Sequence, residues 1–582
     1  MSKLLNATLI ISIFFLLTLG FFHKITAITQ DLGRHLKTGE IILSTGSVPK
    51  VNLFSYTFSD FPFINHHWFS EVIFYKIFQA TGFNGLLILT TILILTAFGL
   101  IFFQTLRKAS LIPLSLVSVL YLKILFERTD LRPEIFSFLF LSVFITVLYK
   151  NKEKFTRWIF ILPVIELLWV NVHIYFPVGI IVLVLFIFDA LISELRRTVR
   201  QTTQNLPGKL TILIAVLIFS SIAIIINPNG INGALYPLHV FQNYGYAVEE
   251  NQNIFFLWQY FQKPTVPYFV IAVIFLFTAL LLNFKKTKLI DWLLSIFFTI
   301  FAITAVRNFP LFVFATFAPL AINLSALSEN ILVKVEPLSR LNLVKNISLF
   351  FIFVLIFWQT IQIIQTKKVG FGVETGAKNA ADFFIKENLK GPIFNNFDIG
   401  SYLDYRLFPK EKVFIDGRPE AYPSGFFQKT YIPMQNSMDI FNKVSRKYNF
   451  NTIFFAHTDQ TPWANTFLKE IIKNKNWKII YLDDYVIILT KDNIENKTII
   501  KKFEIKENSF EIDNNMDFDS LTRFAVFFNK IGWQSQEENT YQRMLSLNPN
   551  FCPALYNLYI LLAGKNDQTA YIYLNRFNYS CK

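Results

Sequence analysis

Cysteine and charge are what this 582-residue chain has least of: two cysteines, and 16% charged residues. Cys552 and Cys581 both lie near the C-terminus, where they form no metal-ligand motif and require no disulfide framework, though outside the cytoplasm a disulfide between them is permitted. Low charge, 53% hydrophobic residues, 67 phenylalanines and a mean hydropathy of +0.41 exclude an ordinary soluble protein of this size and point to many membrane spans. Acid is the scarcer sign, with 40 Asp and Glu against 55 Lys and Arg, for a net charge of +15. Such an excess suits nucleic acid, but in a chain this apolar it reads as lysine and arginine of cytoplasmic loops, so nucleic acid is not expected as a partner and membrane lipid is. The C-terminal third has no glycine-rich phosphate loop, which removes the motif for a nucleotide site.

The apolar runs predict about eleven membrane helices, each near the roughly 20 residues a bilayer core needs. They are Leu4–Phe22, Gly85–Phe103, Leu111–Phe126, Ile135–Tyr149, Trp158–Val172, Phe176–Ile192, Leu210–Ile226, Tyr268–Leu282, Leu289–Val306, Phe309–Leu327 and Ile347–Ile364. The first exceeds a signal-peptide core of about 7–15 residues and reads as an uncleaved anchor. Basic residues at Arg107, Lys108, Lys150, Lys152, Arg196, Arg200, Lys285, Lys286 and Lys334 place the alternate loops, and the N-terminus, on the cytoplasmic side. The long loop 23–84 and everything after residue 366 then lie on the opposite face.

That loop concentrates chemistry. It holds His35, His66 and His67, with His23 at its start, and the carboxylates Asp31, Glu40, Asp60 and Glu71. Asp31 and His35 are four apart, so a helix puts them on one face, where they can bind a divalent metal or pair an acid with a base; an N-cap role for Asp31 is the plainer alternative. His67–Phe78 has the apolar spacing of a helix lying in the membrane interface. Other polar residues at span ends fall on the same outer face: Glu127, Arg128, Asp130, Arg132, Glu134, Asn171, His173, Asn227, Arg307 and Asn308. Taken together they suggest one polar cavity, because ionisable groups at membrane depth are costly unless they line one. Arg128 and Arg132 can present two guanidinium forks to phosphate, or they can pair with Glu127, Asp130 and Glu134.

The motifs DLGRHL, GSVP, FSYTF and NHHWFSEVIFY in that loop, with RTDLRPEIFS, LLWVNVH, NPNG and AVRNFPLF further on and FNNFDIGSYLDYRL and KVFIDGRPEAYP after the last span, resemble a bacterial group of polytopic C-type (GT-C) membrane glycosyltransferases. The resemblance covers about residues 1 to 490. It implies a sugar donor carried on a polyprenyl phosphate and an acidic residue in the first outer loop that serves the reaction, matched here by Asp31. The residues before the histidine are Leu32-Gly33-Arg34, where the group often carries aromatics. Glycosyl transfer needs a base at the acceptor hydroxyl and positive charge at the leaving phosphate. On this reading Asp31 is the base, His35, His67 and Glu71 stand around it, and Arg128, Arg132 and Arg307 hold phosphate, with Asn171, His173, Asp416 and Arg418 as further binding residues.

From residue 367 the composition becomes that of a soluble domain. Strands are expected at Pro392–Phe397, Leu403–Leu407, Lys412–Ile415, Ile453–Ala456, Lys478–Leu482 and Tyr485–Leu489, with helices at Ala377–Asn388, Ser437–Lys447 and Ala464–Lys473, which makes a small α/β domain. Asp398, Asp416, Arg418 and Glu420 fall near strand ends, where they can meet an acceptor or dock on the first loop, or simply form turns and ion pairs. The tail after Leu521 resembles tetratricopeptide helices, with Gly532 and Gly564 close to the repeat of about 34 residues. The expected layout is a polytopic α-helical, GT-C-like transmembrane domain (1–366), an extracytoplasmic α/β domain (367–495) and a short helical tail (496–582) that offers a surface to a protein partner. The leading function is a multi-pass glycosyltransferase of a bacterial inner membrane. A transporter of lipid-linked substrate, for which no clear internal repeat is found, and a non-catalytic scaffold are the alternatives.

Overall fold

The computed structural model describes residues 3–26, 31–198, 207–240, 244–332 and 338–581. Arg200 and Lys334, used above for orientation, lie outside the described residues.

The helices of the membrane part follow the apolar runs. They are α1 (Lys3–Phe21), α2 (Leu32–Thr45), α3 (Trp68–Leu106), α4 (Leu111–Leu125), α5 (Glu134–Glu153), α6 (Leu162–Val172), α7 (Pro177–Thr198), α8 (Pro207–Ala223), α9 (Gly230–His239), α10 (Ile254–Phe261), α11 (Thr265–Leu282), α12 (Leu289–Thr304), α13 (Phe309–Leu332) and α14 (Leu338–Thr366). Seven stretches, at α1, α3, α5, α7, α11, α13 and α14, are long and apolar enough to cross a membrane, and the chain is a multi-pass membrane protein. The other four expected spans fall on shorter helices: α4, α8, α12, and α6 with the turn before it. These helices share one core, from Leu9 and Ile13 of α1 to Ile352 and Ile356 of α14, and many turn further apolar side chains outward, such as Ile92, Phe219, Ile274 and Phe350. Helices apolar all round are what a bilayer requires. Buried polar pairs tie neighbours together: Tyr121 with Thr316 (2.9 Å), Tyr149 donating to Asp291 (2.7 Å) and Asn283 donating to Asn323 (2.8 Å).

The interfacial helix expected at 67–78 is the first limb of α3. It turns into the spanning limb at Gly82, whose φ of 65° and ψ of −161° are open to glycine and break the helix there. The long segment between α8 and α11, for which the sequence predicts no span, contains α9 and α10.

After α14 come α15 (Lys378–Lys386) and α16 (Phe397–Leu407) and a four-stranded sheet of β1 (Ile393–Asn395), β2 (Thr452–Ala456), β3 (Trp477–Leu482) and β4 (Val486–Lys491), in the order β1-β2-β4-β3. β1 and β2 are parallel, with Ile393 opposite Thr452; the other pairs are antiparallel. Side chains alternate across β2, so Ile453 and Phe455 enter one core and Phe454 and Ala456 the other. Two expected strands are absent. Leu403–Leu407 belongs to α16, because Ile399, Tyr402, Leu403 and Leu407 make one buried helical face once the run is extended back to Phe397. Lys412–Ile415 makes only an isolated bridge, Ser55 to Val413, because its carbonyls serve the first loop: Ser55 and Thr57 both donate to the Phe414 oxygen.

The first loop is thus sewn to this α/β domain, called the outer domain because it lies outside the helix bundle. Asn52 donates to the Ala421 carbonyl (3.0 Å), Tyr56 to that of Ile393 (2.8 Å), and Phe63 sits in the outer domain's core. The tail helices Phe518–Ile531, Gln534–Leu547, Cys552–Gly564 and Ala570–Cys581 pack in series, and Phe524, Phe527 and Phe528 anchor the first of them in that same core. Cys552 and Cys581 form a disulfide across the last two helices. Denatured, unreduced protein should therefore take up no maleimide-PEG, and reduced protein two equivalents per chain. Two equivalents without reductant would refute the pairing.

Candidate active site

Asp31 stands at the N-cap of α2, where its carbonyl accepts from the His35 amide (3.0 Å) but its side chain makes no cap bond. The carboxylate turns to the outer domain instead. Ser401, one turn into α16, donates to it at 3.2 Å, and the Gly417 amide donates to the same serine oxygen at 3.3 Å. A Cβ on Gly417 would lie 2.7 Å from the Asp31 carboxylate and 2.9 Å from Ser401 Oγ, so a side chain there would displace one or both. On its other side the nearest cation is Arg132, 4.0 Å away.

Glu71 holds the next layer. It is fully buried and accepts from Asn65 (2.6 Å), His35 Nδ1 (2.9 Å) and Arg34 (3.3 Å). It fixes the outer face of α2 against the start of α3. Beside it four imidazoles form a chain of ring contacts: His35 to His67 (centroids 5.3 Å), His67 to His66 (4.0 Å) and His67 to His173 (5.2 Å). Burial depresses His35, His66 and His67, His66 to about 3, so these rings are neutral at physiological pH and can accept or donate without charge. The His173 ring shares a 2.8 Å hydrogen bond with Ser137, which also accepts from Trp169.

Joined to Asp31 through Arg132 is a cluster of arginines centred on Glu250, which the short turn Glu249–Asn251 carries into the site. Arg128 donates to Glu250 at 2.5 Å and Arg132 at 2.8 Å, and Arg307 lies 3.8 Å away. Burial alone would push the Glu250 carboxyl up; the three guanidiniums hold it well below the carboxylate range. Arg128 is also bound at both ends by Glu134 (2.8 and 2.9 Å), and Arg307 donates to Tyr175 (2.9 Å) and Asn251 (3.0 Å). From the outer domain Arg418 donates to Asp416 (2.6 Å) and Asn52 (2.8 Å) over the rings of Phe54 and Phe63.

These groups surround one cavity of about 670 Å³. Asp31, His35, His67, Arg132, His173, Arg307 and Arg418, all named from the sequence, line it. Four others named with them do not. Glu71 and Asp416 lie behind the lining with no exposure, spent on His35 and Arg418; Asn171 is held by Trp68 and by the Leu167 and Ile226 carbonyls; Arg128 is enclosed by its two glutamates. Nor are Arg128 and Arg132 on a helix: they converge from a bend, and an acid partner outside the expected three, Glu250, joins them. Sequence reasoning passed over Arg34, Tyr175, Tyr244, Glu250 and Ser401, all in the lining. The only signal for Glu250 was an acidic pair, Glu249-Glu250, in an otherwise apolar and amide-rich segment.

Among the described residues no three His, Cys, Asp or Glu side chains gather as a metal site. The Asp31–His35 pair expected for one is divided, Asp31 on Ser401 and His35 on Glu71. The wall below the arginines is apolar and comes from membrane helices: Pro177, Val178 and Ile181 of α7 and Phe301 of α12, with Leu238 of α9 beside them. Asp398, in the first turn of α16, closes the outer side; burial, and then the nearby Asp459, push its carboxyl up to about 7.

No family profile and no curated protein sequence matches the chain. Solved structures do. The archaeal oligosaccharyltransferase AglB from Archaeoglobus fulgidus, in complex with an inhibitory peptide and a dolichol-phosphate, aligns over 94% of this chain and 86% of its own at 10% identity, TM-score 0.54. The same organism's oligosaccharyltransferase tethered to an acceptor peptide aligns over 85% and 75% at 10% identity, TM-score 0.50. ArnT from Cupriavidus metallidurans bound to undecaprenyl phosphate aligns over 84% and 97% at 11% identity, TM-score 0.47. The AglB likeness, across membrane part and C-terminal domain together, shows that the chain shares the fold of that oligosaccharyltransferase.

The raised Asp398 carboxyl carries a pH signature. The folded protein keeps its proton up to about pH 7 while an unfolded aspartate loses it near pH 4, so this group's contribution to stability declines between those values and is gone above pH 7. In detergent, the melting temperature of wild type relative to Asp398→Asn should fall from pH 4 to pH 7 and then level. A constant difference across that range would contradict it.

Proposed function

We propose that this chain is an integral membrane glycosyltransferase that moves a sugar from a polyprenyl-phosphate donor to an acceptor hydroxyl on the extracytoplasmic side of a bacterial inner membrane. The observation that carries this reading is the composition of the main cavity: the Asp31 carboxylate and the guanidiniums of Arg132 and Arg307 line it together with apolar side chains from α7 and α12 that a polyprenyl chain can follow from the bilayer. AglB, whose fold the chain shares, is described with a dolichol-phosphate bound.

The roles follow from position. Asp31 takes the proton of the acceptor hydroxyl as its oxygen attacks the sugar's anomeric carbon. The bond from that carbon to the donor phosphate oxygen breaks, and the phosphate leaves with the electron pair. Arg132 and Arg307 stabilise the charge that develops on it. Arg34, held by Glu71, and the neutral His35 and His67 shape the acceptor side, with Arg418 and Asp416 fixing the outer domain against the first loop. Glu250 occupies the anion position between Arg132 and Arg307, which the donor phosphate takes by displacing it. The helical tail, whose Tyr571 and Tyr579 side chains are exposed, is the region we assign to a protein partner.

The test is transfer from labelled polyprenyl-phosphate sugars to membrane acceptors by purified protein in liposomes, with and without EDTA to report on a divalent ion. Asp31→Ala and Asp31→Asn should lower transfer by roughly 10²–10⁴-fold at equal protein level. Full activity in Asp31→Asn would remove Asp31 from the role of base, and no transfer by wild type from any donor, with uptake of lipid-linked sugar instead, would establish the transporter reading. Glu250→Gln weakens the competition for the arginines, so the donor KM should fall several-fold with kcat little changed. A rise in KM would mean that Glu250 orders the arginines rather than competing for them.

A further inference from the structure

We infer that the membrane part carries a second binding site, at its end away from the main cavity, for the headgroup of an anionic, hydroxyl-bearing phospholipid. A separate pocket of about 220 Å³ opens between α3 and α5. Both helices begin at the main cavity, α3 beside His67 and α5 at Glu134. Lys150 is sixteen residues along α5 from Glu134, about 24 Å at the helical rise. The two cavities therefore serve opposite faces of the helix bundle.

The pocket's lining is that of an anion site with its ligand groups still unspent. Arg107 and Lys150 stand at its mouth, and neither side chain makes an ion pair or hydrogen bond among the described residues. Their neighbours differ: Lys108 is paired with Glu153 and Lys152 with Asp189. Deeper in, Thr146 is 5% exposed and its hydroxyl has no partner. Thr90, Thr91, Thr96 and Thr105 on the facing helix each donate to the carbonyl four residues back, as buried helical threonines do. Thr146 does not, and its hydroxyl is left buried without a partner in the pocket wall. The side-chain carbonyl oxygen of Gln104, also buried in the lining, has no donor.

A phosphodiester meets these needs. Its oxygens accept from Arg107, Lys150 and the Thr146 hydroxyl, and a hydroxyl on the headgroup donates to Gln104. The rim supplies Leu100 and the half-exposed Phe103, against which acyl chains can lie. Basic groups at the end of apolar helices are where anionic headgroups concentrate. The site requires only that the chain spans a bilayer and stands apart from the transfer reaction proposed above.

Native mass spectrometry of the full-length protein in detergent tests this, with phosphatidylglycerol, phosphatidylcholine and inorganic phosphate as probes. Wild type should retain one phosphatidylglycerol at a concentration roughly tenfold below that for phosphatidylcholine. The double variant Arg107→Gln, Lys150→Gln should lose that preference, and Thr146→Val, which keeps both charges and the shape, should weaken it several-fold. Equal retention of the two lipids by wild type, or an unchanged preference in both variants, would overturn the proposal. Displacement of phosphatidylglycerol by millimolar inorganic phosphate would overturn its lipid identity and assign the pocket to free phosphate.

Discussion

Charge at the membrane boundary must be paired, and Glu250 is where this protein meets that constraint. One carboxylate answers guanidiniums from the bend before α5 and from the turn before α13, and Arg128 passes the connection on to Glu134 at the head of α5. Breaking a buried pair of the Arg128–Glu134 kind by removing one partner costs about 3–5 kcal/mol, because the survivor is left unsolvated. The network holds four stretches of chain in register around one opening. It also holds Arg132 and Arg307, which stay charged, facing the cavity and offsets the cost of placing them at that depth.

The wall that carries Asp31 is built by a different device. Asp31 has only a long ion pair, to Arg132 at 4.0 Å; it is placed mainly by the packing of α2 on α16. α2 lies against α16, Ser401 reaches across, and the segment Asp416-Gly417-Arg418 closes down because Gly417 has no side chain. Arg418, clamped by Asp416 and Asn52 and roofed by two phenylalanines, keeps that segment from lifting. The outer domain is therefore part of the site and not an appendage, since it contributes Ser401, Arg418 and Asp398 to the lining. The Asp31 carboxylate, with one serine donor and partly open to the cavity, keeps acceptor capacity that Glu71, taken by three donors, does not.

Much of this was legible in the residues. Apolar run length marks helices in a bilayer, because every backbone polar group must be satisfied within its own segment there. The concentration of acids and histidines between the first two spans marked the loop that supplies Asp31, His35 and His67. What periodicity misread was local: Leu403–Leu407 alternates like a strand over five residues and is helical over eleven. The short apolar run at Lys412–Ile415 has its carbonyls taken by the first loop, a partner more than 350 residues away in sequence.

Composition and hydropathy by themselves determined a polytopic membrane protein, the position of nearly every long helix, a mixed α/β unit after the last of them and the loop that bears the acid. Those properties are local, set by each segment's transfer free energy and period. Only the tertiary structure decided which polar residues face the cavity. Glu71, Arg128, Asn171 and Asp416 have the same chemistry as their neighbours in the lining, yet each is turned away and saturated, while Glu250, Arg34 and Ser401 enter from positions with no distinguishing pattern. Whether a side chain lines a site or supports it depends on which distant segment satisfies it, and that is settled when the segments pack, not by the order in which they occur.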